Sequence, residues 1–252
     1  MAEPPKLAMT HVVRRFGRVR AVEDVSLDIP RGSTLGLLGE SGCGKSTLAR
    51  LATGLLAPDS GGLLYDGTPM QRRTGAPRRI AMVFQDALGS LDPRWSIGRS
   101  IAEPILSLHR RAGGPAVRDR ALEVMANVGL PGELVGRRPH QLSLGQVQRA
   151  ALARALAGEP DFLVCDEPTS ALDVSVQAQV LNTLREAQER TGLTMLFISH
   201  DVGVVRHMAD RVAVMLRGRV VEFGSADAVF ARPCHPYTRR LLAAASDEVV
   251  SG

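Results

Sequence analysis

The chain has 252 residues, 44% hydrophobic and 23% charged, which gives it apolar material for one sizeable core or two small ones and excludes a disordered segment. Its 15 prolines and 25 glycines follow no period, excluding collagen-like and low-complexity chains, and no run of about 18 apolar residues is present to span a bilayer. The net charge of +5 admits nucleic acid, anionic lipid head groups or a solvated arginine-rich surface. The start, MAEPPKLAMTHVVRRF, lacks the pattern of a secretory leader, so a soluble cytoplasmic chain is expected. Cys43, Cys165 and Cys234 lie far apart without a CxxC pair, which supports neither a disulfide framework nor a zinc site. Of 31 basic residues only Lys6 and Lys45 are lysines, so a lysine inside the chain needs a local reason.

In chain order, residues 7 to 29 alternate around Gly17 and predict an antiparallel layer of strands. Ser33 to Leu38 reads as a buried strand. A glycine-rich turn follows, then Leu48, Leu51 and Leu55 at the spacing of one helix face. From about Asp86 to Pro160 the pattern is helical, broken by Gly113-Gly114-Pro115 and Pro131-Gly132, with a last helix starting near Ser143. Strands are predicted again at Asp161 to Cys165, Leu193 to Ser199 and Arg211 to Leu216. Between the first two lies an amphipathic helix from about Val174 to Arg190, stopped by Gly192. Arg217-Gly218 closes a hairpin into Arg219 to Phe223, and the tail after Ala231 ends in a small amphipathic helix. Alternating strands and helices predict an α/β fold with a mostly parallel sheet and helices on both faces.

Gly39-Glu40-Ser41-Gly42-Cys43-Gly44-Lys45-Ser46-Thr47 fits G-x-x-x-x-G-K-[ST] between a predicted strand and helix, the context a phosphate-binding loop requires. Its glycines let backbone N–H groups close on an anion, and the helix that follows adds its positive dipole end. Lys45 is expected to bridge the β- and γ-phosphates and the Ser46 hydroxyl to hold Mg²⁺. This accounts for one of the two lysines. Phe162-Leu163-Val164-Cys165-Asp166-Glu167 is an apolar strand ending in two acids; Asp166 is the candidate metal-side carboxylate and Glu167 the candidate general base toward water.

Leu142-Ser143-Leu144-Gly145-Gln146, followed by Gln148-Arg149, resembles the LSGGQ signature of ATP-binding cassette (ABC) ATPases, and Ser170-Ala171-Leu172-Asp173 resembles their D-loop. With Gln85 in MVFQD and His200 in FISHD, the set runs in the family's order over nearly the whole chain. The resemblance implies a P-loop NTPase core of RecA-like type with an N-terminal antiparallel β layer and an inserted helical subdomain. The ABC ATPase domain would span 1–230, its core about 1–85 and 160–230, its helical subdomain about 86–159, with an extension at 231–252. It further implies two cassettes clamping two ATP molecules head to tail, so that Ser143, Gly145, Gln146 and Asp173 reach nucleotide held by a partner. Ser143 opening a helix suits a γ-phosphate on physical grounds too. Gln85 would sense Mg²⁺ and the attacking water, His200 would contact the γ-phosphate, and Phe16 would stack on adenine beside Val22; the competing reading of Phe16 is a core aromatic. Leu144 replaces the first glycine of LSGGQ, which predicts a composite site of reduced activity unless its side chain points away from the nucleotide.

The run DALGSLDPRWSIGRSIAEPIL after Gln85 and HPYT at His235 to Thr238 resemble the peptide and nickel importer branch. That resemblance implies an ATP- and Mg²⁺-dependent ATPase at the cytoplasmic face of the inner membrane. Its partners would be a second cassette, paralogous or identical, two membrane permeases and, indirectly, an extracytoplasmic solute-binding protein. His235 beside Cys234 offers too few ligands for a metal site, so the tail is expected to pack or dock. Two other readings compete with this one. A soluble cassette acting on nucleic acid or ribosomes lacks the tandem cassette or long coiled coil of such proteins, so no nucleic-acid partner is expected. A phosphotransferase would have no use for the signature and D-loop.

Overall fold

A computed structural model of the chain describes residues 3–70, 79–108, 114–170 and 172–250. Gly113 of the expected helix break, Ala171 of the expected D-loop and the last two residues of the tail lie outside the described residues. The chain divides into two compact units, Met1–Gly75 with Thr194–Gly252, and Ala76–Leu193.

The first unit opens with β1 (Leu7–Phe16) and β2 (Val19–Ile29), antiparallel about the Gly17 turn. Leu7, Met9, Val12, Val25, Leu27 and Ile29 are buried, which is the alternation of a strand with one face on a core. The pair is bulged, and His11 (φ 51°) and Asp24 (φ 55°) take left-handed backbone while their side chains meet at 2.7 Å. β3 (Thr34–Leu38) is buried along its whole length, and the phosphate loop joins it to α1 (Lys45–Ala52). Leu48 and Leu51 of α1 are buried as expected. Leu55 corrects the predicted helix face: α1 ends at Ala52, and Leu55 is 62% exposed. Gly54 at φ 73° supplies the left-handed residue that stops a helix.

Next come β4 (Ser60–Tyr65) and β5 (Thr68–Pro69), which the hydrophobic pattern missed. Their signal was Asp66-Gly67, at φ 52° and 73°, an Asp-Gly pair that favours a tight two-residue hairpin. The strands order as β2-β1-β4-β5, the expected antiparallel layer. This layer also explains the second lysine. Lys6 is buried, hydrogen-bonds Asp66 at 3.1 Å and sits 4.7 Å from the centre of the Tyr65 ring, so its charge is paired where burial would otherwise be costly.

The second unit holds β6 (Ile80–Val83), α2 (Ala87–Ser90), α3 (Ile97–Leu108), α4 (Gly114–Asn127), α5 (Leu144–Ala157), β7 (Phe162–Asp166) and α6 (Val174–Thr191). Two 3-10 turns, Gly132–Gly136 and Pro139–Gln141, lead into α5. Among the described residues no strand falls between 86 and 160, as the sequence predicts. β6, which the sequence reading missed, is parallel to β7, with Ile80 opposite Phe162. Ile97, Ile101, Met125 and Phe162 are fully buried, and each such side chain contributes about 1.5–3 kcal/mol of burial. Gly192, at φ 68°, ends α6 where expected.

The chain then re-enters the first unit through β8 (Thr194–Ile198), α7 (Val202–Met208), β9 (Arg211–Leu216), β10 (Arg219–Ser225), α8 (Ala226–Ala231) and α9 (Pro236–Val250). β3 is parallel to both β8 and β9, while β10 is antiparallel to β9. Arg217 (φ 47°) and Gly218 (φ 82°) make the predicted hairpin turn. A Cβ on Gly36 would come within 2.4 Å of Val205 Cγ1, so a glycine in the middle of β3 is what lets α7 lie against it.

Candidate active site

In the first unit the phosphate loop is held by backbone that only glycine adopts readily. Gly39, Gly42 and Gly44 take φ 152°, 76° and 113°. A Cβ on Gly39 would stand 2.3 Å from Met215 O, and one on Gly44 2.1 Å from Ala21 O. Two of the motif's glycines are therefore fixed by close approach of β9 and β2 as well as by torsion. Gly44 is also the N-cap of α1 and offers no side-chain acceptor, which leaves the first-turn N–H groups as donors for an anion. Cys43 is buried, and burial pushes its thiol above the ordinary value despite the Lys45 ammonium 4.0 Å from Sγ. It fills the loop's interior as a small neutral group.

Lys45 is buried, and its Nζ donates to Gly39 O at 2.7 Å and Glu40 O at 2.8 Å. The ammonium is thus held against the loop by neutral carbonyls, which satisfy its donors without cancelling its charge. Ser46 and Thr47 are half-buried on the first turn of α1. A cavity of about 380 Å³ opens at the loop, lined by Glu40, Ser41, Gly42, Cys43, Arg217 and Tyr237. Phe16, at the end of β1, is 49% exposed with the Arg14 guanidinium 5.0 Å from its ring centre, and Val22 is buried. The core-aromatic alternative for Phe16 fails on that exposure, and a ring face remains available for stacking. His200 is exposed just beyond β8.

The second unit brings together Gln85 and Glu167, with Gln85 Nε2 donating to Glu167 Oε2 at 2.9 Å. Asp166 closes β7 and is buried; Glu167, the next residue, takes φ 53°. For a glutamate that left-handed backbone is costly, and it turns the carboxylate off the line of the strand toward Gln85. With its nitrogen committed to Glu167, Gln85 keeps its amide oxygen as an acceptor. Asp166 and Gln85 in this unit, like Ser46 in the first, carry hard oxygen donors of the kind Mg²⁺ takes. Among the described residues no group of three or more His, Cys, Asp and Glu is placed to hold a metal.

In the same unit Ser143 caps α5. Its hydroxyl accepts the Gln146 N–H at 3.3 Å while Gln146 Oε1 accepts the Ser143 N–H at 2.9 Å, a reciprocal capping box. Gln146, expected at nucleotide, spends its side-chain oxygen on the helix start, and Ser143 is exposed there. Leu144 is 59% exposed, whereas a Cβ on Gly145 would lie 3.3 Å from Leu172. The first position of the signature pattern thus carries a side chain without burying it, and at the second a methyl would press on the end of the Leu172 side chain. Asp173 caps α6 by accepting from Ser175 Oγ at 2.7 Å and the Val176 N–H at 2.9 Å. Those bonds, the Ser175 hydroxyl first, hold its carboxyl below the ordinary value. Gln148 reaches the Pro168 carbonyl at 2.9 Å, tying α5 to the segment after Glu167.

One residue at the loop was not legible as such. Tyr237, quoted from the sequence only as part of HPYT, accepts the Glu40 N–H on its hydroxyl at 3.0 Å. The partners are separated by 197 positions, and no local pattern carries such a contact.

A family profile, described as ABC transporter, matches residues 22–170. The chain is 51% identical over 224 residues to the probable D,D-dipeptide transport ATP-binding protein DdpF of Escherichia coli (strain K12), covering 89% of this chain and 70% of that protein. It is 47% identical over 231 residues to the oligopeptide transport ATP-binding protein OppF of Salmonella typhimurium, covering 90% and 69%. Among solved structures, the dimeric post-hydrolysis state of the ATP-binding cassette MJ0796 bound to ADP and Pi superposes with a TM-score of 0.82 at 28% identity. That match covers 87% of this chain and 98% of the other.

Proposed function

This chain belongs to the ABC transporter family, and from that premise we propose that it is the ATP-hydrolysing subunit of an importer for peptides. The observation that carries the reading is the phosphate loop: three left-handed glycines and a buried Lys45 whose ammonium donates to the Gly39 and Glu40 carbonyls. The dipeptide and oligopeptide transport proteins it resembles give the substrate class; nickel complexes remain the narrower alternative within the branch.

In this reading the loop amides from Ser41 to Thr47 and the Lys45 ammonium bind the β- and γ-phosphates of ATP, and Phe16 stacks on the adenine beside Val22. Mg²⁺ would be held by Ser46, Asp166 and Gln85, and supplies charge neutralisation on the phosphate oxygens. Glu167 takes the proton of the attacking water as its oxygen bonds to the γ-phosphorus and the bond to the β–γ bridging oxygen breaks. Gln85 holds the Glu167 carboxylate for that task, and His200 meets the γ-phosphate. Ser143, Gly145, Gln146 and Asp173 face nucleotide bound by a second cassette, so ATP binding and hydrolysis shift an equilibrium between closed and open pairs. The position of Ser143 as the N-cap of α5 supports this reading, since an exposed helix start favours an anion.

In this reading two membrane permeases form the transport path; among the described residues no helix is long and apolar enough to cross a membrane. The chain would act at the cytoplasmic face of the inner membrane, with a solute-binding protein feeding the permeases from outside. Its core would comprise about 1–85 and 160–230, and its helical insert about 86–159. Purification of the tagged chain in mild detergent tests the reading: two multispanning proteins and a second cassette should come with it. Recovery of RNA or ribosomes in their place would reject transport in favour of a soluble cassette.

A further inference from the structure

The phosphate loop is gripped from outside as well as from within. The Gly39 carbonyl and the Glu40 N–H belong to one planar peptide group. Its oxygen accepts from Lys45 Nζ at 2.7 Å, and its nitrogen donates to Tyr237 Oη at 3.0 Å. Rotation of that peptide would break both bonds together. The tail side of the contact is itself well anchored. Tyr237 is 4% exposed and Thr238 fully buried. The Glu222 carboxylate on β10 accepts the N–H groups of Cys234 at 2.7 Å and His235 at 3.0 Å. His235 Nδ1 accepts the Tyr237 N–H at 3.2 Å, and Arg239 donates to the Pro233 and Cys234 carbonyls. These bonds from Glu222, His235 and Arg239 fix the start of α9, where the phenol of Tyr237 meets the loop.

We propose that Tyr237 is a positioning residue of the phosphate loop, fixing the Gly39–Glu40 peptide, and through it Lys45, in the orientation that receives the triphosphate. Tyr237 acts on the nucleotide site through that peptide, whose N–H its hydroxyl accepts. The proposal rests on the ATPase reading above and assigns to the HPYT tail a role in nucleotide affinity. Because the triphosphate is present in both the ground state and the transition state, a loosened loop weakens binding of both alike, which raises KM and leaves kcat.

The test is Tyr237→Phe in the full chain, which keeps the ring and removes the acceptor. ATP affinity is measured by displacement of trinitrophenyl-ATP, and KM and kcat by phosphate release. Leaving the part-buried Glu40 N–H without its acceptor should weaken ATP binding and raise KM by about 3- to 12-fold, with kcat within about twofold and the number of binding sites per chain unchanged. Hydrogen exchange at the Glu40 amide should accelerate in the variant. An unchanged affinity overturns the proposal, and so does a loss of competent sites at unaltered affinity, which is what a purely structural tail would give. Wild-type chain that fails to bind ATP overturns the ATPase reading itself; wild-type binding matched by the variant overturns only the role of the tail.

Discussion

Glu167 carries the largest single expectation in the molecule. Its left-handed backbone and its bond to Gln85 hold a carboxylate in one place at the end of a buried strand, and a general base contributes about 10²- to 10⁴-fold in rate. Glu167→Gln keeps shape and hydrogen bonding but removes the basic oxygen. ATP binding should be retained while phosphate release falls by about that factor, and unimpaired steady-state turnover would reject the assignment. Gly39 gives a complementary prediction: Gly39→Ala drives a methyl into Met215 O at 2.3 Å and strains φ 152°. Trinitrophenyl-ATP binding should be lost and the thermal midpoint lowered, since the clash is with backbone that cannot step aside. The sequence named both residues; that Gly39 is held by β9 and Glu167 by Gln85 needed coordinates.

At the level of elements, the helix starts decide how the second unit is assembled. α5 and α6 each begin on a side-chain cap, Ser143 and Asp173, which places two candidate nucleotide-facing residues at helix N-termini whose own first-turn donors they satisfy. The Asp173 carboxyl is lowered by Ser175 Oγ and by the Val176 N–H. A group depressed in the folded state stabilises above its unfolded value, near 4, and that contribution is lost as pH falls through the folded value. Asp173→Ala should therefore lower the melting temperature at neutral pH, with the gap between the two proteins closing below about pH 4. A gap that persists undiminished at pH 2 would show that the cap does not act through its charge. Helix periodicity made α5 and α6 visible in the sequence. β5 and α2 are two and four residues long, too short for a periodic signal to accumulate, and α1 was read one turn too long because Leu55 continues the spacing past Gly54.

For the whole molecule, the family reading demands that nucleotide hold two cassettes together. The Glu167→Gln chain saturated with ATP, mixed with its partner cassette, should scatter as a species of about twice the mass, and ADP should return it to single chains. Failure to associate with any cognate cassette would remove the basis for assigning Ser143 and Asp173 to a shared site. The order of motifs, from the phosphate loop through Gln85, the signature, Asp166-Glu167 and His200, was readable in the linear chain because each is a short run whose chemistry depends on neighbouring residues. So were the fold class, the hairpin at Arg217-Gly218 and the stop at Gly192, which follow from periodicity and backbone torsion. Only the tertiary structure decided which glycines are pinned by steric contact, why Lys6 is a lysine, and that Tyr237 lies on the Glu40 amide. The last two contacts join residues separated by 60 and 197 positions. Hydrogen bonding and close packing act through space, so a residue's type records that it meets something but not what it meets.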